Sequence, residues 1–204
     1  MGKTHAIAVM VAAILAALAL AACGGDDGGG SEDEDQITEA IEKSATEADA
    51  SACTEFQTQN FVEQTSGATG QEAVEECREG QQEEPLADSV DVSDIEIDAD
   101  SASAAAALNG GFIDGQSLEL GLAKEDGQWK LDELVGFAEF DRAKYVDSIV
   151  QGIGEETGGA QEIQTCVRQA IEEVSDAQLQ ATFLENDDAV FERSLAPCFE
   201  GQQG

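Results

Sequence analysis

The sequence predicts an α+β fold: N-terminal helices, then an antiparallel sheet of about four strands, then a small helical C-terminal region. Three observations carry this. Apolar residues recur at three- and four-residue steps from Ile37 to Ala48, they alternate with polar ones between Val90 and Leu131, and the helical step returns after Phe140. Helices followed by strands joined through short turns define the class.

The first helical stripe is Ile37, Ala40, Ile41, Ser44, Ala45 and Ala48. It can run on through Ala52 and Phe56 toward Phe61 and Val62, with a break near Ala50, and ends before Gly67. Thr69-Gly-Gln-Glu72 has the form of a capping box opening a short helix with Ala73, Val74 and Cys77, which is expected to stop at Gly80. After Pro85 the period changes. Val90 and Val92 alternate with acids, and Ile95 and Ile97 do so one residue out of phase, which predicts a bulge near Ser93-Asp94. Asp98 to Ser101 is turn chemistry, and Ala102 to Leu108 form a small-residue strand. Leu118, Leu120 and Leu122 alternate, Glu125-Asp-Gly127 turns, and Trp129-Lys-Leu131 begins the return strand. Beyond these, Phe140, Ala143, Val146 and Val150 mark a helix ended by Gly152 and Gly154. Ile163, Cys166, Val167, Ala170, Ile171 and Val174 mark the next helix. Ser175-Asp-Ala-Gln178 caps a third, and Asn186 or Asp187 caps a last one with Val190, Phe191 and Leu195, closed by Pro197-Cys198.

Composition divides the chain into 1–22, 23–35, 36–140 and 141–204. Lys3 and His5, the apolar block Ala6 to Leu20 and the small residues before Cys23 read as a secretory signal peptide over 1–22. A spanning helix needs about 20 well-apolar residues, and this run is shorter and mostly alanine. From Gly24 to Asp35 the chain is almost wholly glycine and acid, which predicts a flexible, extended tether. Leu20-Ala21-Ala22-Cys23 resembles the lipobox of bacterial lipoproteins. That resemblance implies cleavage before Cys23, a diacylglycerol on its thiol and acylation of the new N-terminus. More than one acyl chain gives stable anchoring. The expected location is the cell membrane, lipid-anchored and facing the extracytoplasmic side.

The net charge is -35, from 44 acidic and 9 basic residues. Nucleic acid is excluded as a partner, because its binding needs Lys and Arg to neutralise phosphates. Lying flat on anionic headgroups is excluded on the same ground. A strongly solvated surface is the plainer reading of so much acid. In an oxidising compartment Cys53, Cys77, Cys166 and Cys198 are expected to form disulfides. Four cysteines allow three connectivities. The local pairs Cys53–Cys77 and Cys166–Cys198 are expected, each lying within one helical region.

Helices first, then "VSDIEIDADSASAAAAL" and "SLELGLAKEDGQWKLDEL", resemble the cone-shaped α+β domains of the nuclear-transport-factor-2-like superfamily. More narrowly, the chain is similar to bacterial lipoprotein versions with a closing Asp-Gly-x-Trp-Lys strand pair, here Asp126 to Lys130. The resemblance spans about Ile37 to Phe140. It implies a curved sheet wrapped around a helix, with a pocket in the mouth of the cone. Members include isomerases, dehydratases and purely binding modules, so fold alone fixes no activity.

Candidate chemistry is sparse. The one histidine, His5, leaves with the leader, which excludes Ser-His-Asp and Cys-His catalysis in the mature chain. Tyr145 follows the predicted cone and reads as a packing residue. The alternating acids from Asp88 to Asp100 fail the calcium-loop pattern, because position six after Asp94 is Ala99 rather than glycine. No cysteine pair has zinc spacing, and no glycine-rich phosphate loop follows a strand. No catalytic, cofactor or metal residues are therefore assigned. The leading expectation is a non-catalytic, membrane-anchored lipoprotein that binds a small apolar molecule, a cell-wall component or a protein. The alternative is an extracytoplasmic isomerase or hydrolase, which requires two carboxylates converging in an apolar pocket, at least one with a raised pKa.

Overall fold

In a computed structural model, residues 29–83, 86–156, 158, 160–185 and 189–199 are described below. Backbone contacts divide the chain into Met1–Asp33 and Glu34–Gly204. The described part of the first unit is the opening of helix α1, and the account that follows concerns the second.

The elements are α1 (Gly29–Thr46), α2 (Ala52–Glu55), α3 (Gln59–Ser66), α4 (Gln71–Glu83), β1 (Ser89–Asp98), β2 (Ser101–Asn109), β3 (Ser117–Glu125), β4 (Gln128–Glu139), α5 (Arg142–Glu156), α6 (Gln161–Glu172), α7 (Asp176–Glu185) and α8 (Ala189–Phe199). The α+β class holds, with a four-stranded antiparallel meander in the order β1-β2-β3-β4.

Several boundaries differ from expectation. Helix α1 begins at Gly29, so residues 29–35 are helical rather than tether, while 23–28, Cys23 included, lie outside the described residues. Acid in its first turn (Glu32) and Lys43 in its last complement the helix dipole, which favours the early start. The first stripe does break where expected, near Ala50: it ends at Thr46 and resumes in α2 from Ala52 and in α3. At the α3–α4 junction the bond made is from Gly70 N–H to Glu63 Oε1, 2.8 Å, in place of an exchange between Thr69 and Glu72. Gly80 lies inside α4, Gly152 and Gly154 lie inside α5, and Pro197 lies inside α8, so none of them ends its helix. The proposed cap at Asn186 or Asp187 lies outside the described residues.

The sheet keeps the expected register devices. Ser93 faces Ala105 and Glu96 faces Ser103, so β1 carries one extra residue there, with Asp94 at φ 52°. This bulge returns Ile95 and Ile97 to the face that Val90 and Val92 occupy, and all four pack on the core. The Asp126-Gly127 turn has φ of 52° and 85°, the twist that best joins antiparallel strands. On the inner face alanine opposes leucine, Ala104 with Leu120 and Ala106 with Leu118. Three register shifts between β3 and β4 let twelve residues of β4 pair with nine of β3, and such bulges bend a strand.

The free edge of β4 is covered from the helical side. Leu131 donates to Phe56 O and accepts from Thr58 N–H, both at 2.8 Å. Gln64 brackets Leu134, donating to its carbonyl and accepting from its amide at 2.8 Å each. These bonds close an edge that would otherwise invite pairing with another chain.

The C-terminal helices share the core of the sheet. One continuous cluster runs from Ile37 through Leu120 and Trp129 to Ile149, Val167, Ile171 and Leu179. Gln116, fully buried, exchanges two hydrogen bonds with the backbone of Asp141 (2.9 and 3.0 Å) and fixes the start of α5. Arg142 then donates to the carbonyls of Ile171 (2.9 Å) and Val174 (2.7 Å) and pairs with Asp176, joining α5 to α6 and α7. The Ser175–Gln178 capping box forms as expected: Ser175 Oγ donates to Gln178 Oε1 at 2.8 Å, and Gln178 N–H returns to Ser175 Oγ at 3.4 Å.

Candidate functional site: an apolar cavity with one polar wall

Between the inner face of the sheet and the helices lies a cavity of about 1030 Å³. Ala106 and Leu108 of β2, Leu118 and Leu120 of β3, and Leu131 and Leu134 of β4 form its floor. The alanine side chains opposite leucines leave the volume that larger residues would fill. Tyr145, Ile149, Gly152 and Ile153 form one side at a helical spacing along α5. Phe183 and Leu184 of α7 and Phe191 and Leu195 of α8 extend that apolar side. Gly80 and Gly152 both line the cavity, and a Cβ added at either meets no atom within 4 Å. Two glycines that read as helix terminators are thus helical positions facing open space.

The opposite chemistry concentrates on α1, α4 and the segment before α3. Ser44 is 6 % exposed, and its Oγ has no hydrogen-bond partner among the described residues. Gln57 is 5 % exposed, and its Oε1 lies 3.4 Å from Cys77 Sγ. Cys77 is disulfide-bonded, so its sulfur has no proton to donate, and the contact does not satisfy the amide. No other side-chain hydrogen bond of Gln57 occurs among the described residues. Gln81, one helical turn beyond Cys77, donates to the Ser44 carbonyl at 3.3 Å. Ser44, Gln57 and Gln81 are therefore held together by one face of α4. Leaving such groups unbonded inside a protein costs about 1–3 kcal/mol each.

Charge is nearly absent from the lining. Glu76, exposed, is the one ionisable carboxylate there among the described residues, and no Lys or Arg joins it. Two groups outside the lining have a displaced pKa. The Gly70 N–H, and then Gln59, hold partly exposed Glu63 below the ordinary glutamate range, and a hydrogen bond to Glu47 raises partly exposed Lys43.

The structure pairs Cys53 with Cys77 (Cα–Cα 6.1 Å) and Cys166 with Cys198 (Cα–Cα 5.6 Å). Cys77 borders the cavity, whereas the second bond ties α6 to α8 away from the lining. Tyr145 is 2 % exposed and packs at an angle against Phe140 and Phe112, with ring centroids 5.4 and 6.5 Å away. Trp129, also 2 % exposed, is core. The acids of β1 are exposed along the sheet edge, and among the described residues no group of three or more His, Cys, Asp or Glu is placed to hold a metal. No described helix is long and apolar enough to cross a membrane.

Sequence reasoning missed Ser44, Gln57 and Gln81 as site residues. Ser44 did carry a signal, being the polar member of an otherwise apolar stripe. Gln57 and Gln81 carried none, because their roles depend on where α4 crosses.

Fold and cavity define an α+β module enclosing an apolar chamber with one polar wall. No family model, curated protein or solved structure matches this chain.

Proposed function

We propose that this protein is a non-catalytic, lipid-anchored envelope protein that holds a small apolar molecule in its cavity. The observation that carries the reading is the chamber itself. Its volume sits at the top of the range of about 300–1,000 Å³ usual for ligand pockets, and its lining is mostly Leu, Ile and Phe with a few polar groups. The isomerase or hydrolase alternative draws no support from the lining, since it needs two carboxylates and only Glu76 borders the space among the described residues. Anchoring at Cys23 and the extracytoplasmic location rest on the leader and the lipobox-like Leu20–Cys23. The likeness to the cone-shaped superfamily rests on element order and the Asp126–Lys130 turn.

A series of n-alkanols tests the binding reading on the full chain by thermal unfolding. Each added methylene is expected to tighten binding about fourfold until the chamber is full. A ligand at a hundred times its Kd adds about 2.7 kcal/mol of stability. A melting temperature unmoved by every chain length would overturn the reading. Mass spectrometry of the N-terminal peptide from native membranes checks the anchor, and an unmodified Cys23 would remove it.

A further inference from the structure

Resting on the binding reading above, we propose that the occupant is an uncharged amphiphile: a hydrocarbon body with a hydroxyl, ester or amide head seated against Ser44 and Gln57. The polar wall supplies both complements such a head requires. The Ser44 hydroxyl, without a partner among the described residues, donates and accepts; the Gln57 carboxamide offers an N–H donor and a carbonyl acceptor, and its one side-chain contact there is to the proton-less sulfur of Cys77. Both residues are more than nine-tenths buried, so a bound head group is the means by which their hydrogen bonds are completed away from bulk water.

Charged heads are selected against in two different ways. An anionic head meets no Lys or Arg in the described lining, and the whole protein, at -35, repels it. A cationic head is attracted over distance, but the polar wall gives it no buried carboxylate, Glu76 being exposed. A buried charge without a partner is the costlier state. The apolar body of the ligand lies along Leu108, Leu120, Ile149 and Phe183.

The test uses the full chain in lipid nanodiscs and three photoprobes. Each has the same hexadecyl chain with a diazirine at its tail, ending in an alcohol, a carboxylate or a trimethylammonium head. Labelled peptides are mapped by mass spectrometry. The alcohol is expected to label the α5 and α7–α8 peptides about tenfold more than either charged probe. Ser44→Val and Gln57→Leu, nearly the same shape, are expected to erase that preference while apolar labelling persists. Equal or stronger labelling by the carboxylate or the ammonium overturns the head-group inference and leaves the binding reading standing. Labelling of no cavity peptide by any probe overturns both. The probe series uses the unaltered chain, so a variant that fails to fold does not decide the outcome.

Discussion

The two walls of the cavity are built differently. The α1–α4 wall sets buried Ile41, Ser44 and Ala45 of α1 beside partly buried Cys77 and Gln81 of α4, and the inaccessible Cys53 (2 % exposed) ties α2 to α4 through Cys77. The far wall ends in α8, which among the described residues has no fully buried side chain and is secured by Cys166–Cys198. Both staples close loops of similar length, with 24 and 32 residues of sequence separation. Chain entropy alone would rank them nearly equal, at about 3–4 kcal/mol each. Their surroundings do not. The first wall carries the buried Ser44 and Gln57 at its surface. The other sets buried Tyr145 and Ile149 of α5 beside partly buried Phe183, Leu184, Phe191 and Leu195 of α7 and α8.

Breaking that comparison begins with the staples. Replacing Cys53 and Cys77 by serine is expected to remove about 3–4 kcal/mol and lower the melting temperature by about 7–14 °C in one cooperative transition. Replacing Cys166 and Cys198 is expected to lower it less, with loss of amide protection confined to α8. Equal global losses would show that the two walls are energetically alike. Within the walls, Ile41→Ala is expected to cost about 2–5 kcal/mol by denaturant unfolding, because its neighbours do not collapse around it. Leu195→Ala, half-buried on α8, is expected to stay within about 1 kcal/mol.

A third change fills the space between the walls. Gly152→Leu, placed where an added Cβ meets nothing, is expected to raise the melting temperature and weaken decanol binding together. Stabilisation with unchanged decanol affinity would mean that this face of α5 does not border the ligand. The smallest expected effect concerns pH. The pKa of Glu63 is lowered in the folded protein, so its contribution is present above the unfolded value and fades as pH falls through the folded one. Protection of the Gly70 amide, taken relative to its intrinsic exchange rate at each pH, is expected to fall over that acidic window, and Glu63→Gln to abolish the change.

Much of the fold was legible because local chemistry fixes it. The bulge at Ser93–Glu96 follows from a phase slip in Val and Ile, and Asp126-Gly127 can adopt the positive φ that a tight hairpin needs. The capping box at Ser175 is likewise local. Helix ends were misread where glycine seemed to stop a helix. Gly80 and Gly152 are instead helical positions bordering the cavity, a placement that exists only in three dimensions. The polar wall was illegible for a related reason. Gln57 meets Cys77, and Ser44 Oγ lacks a partner among the described residues, neither of which spacing reveals.

Methyl NMR of the full chain titrated with decanol puts the central claim to its most direct test. Ile41, Leu108, Leu120 and Ile149, which line the chamber, are expected to shift in a saturable manner. Val167 and Ile171, equally buried in the same core but outside the lining, are expected to hold still. Shifts spread evenly over both sets, or none at saturating decanol, would contradict a ligand chamber at the heart of this molecule.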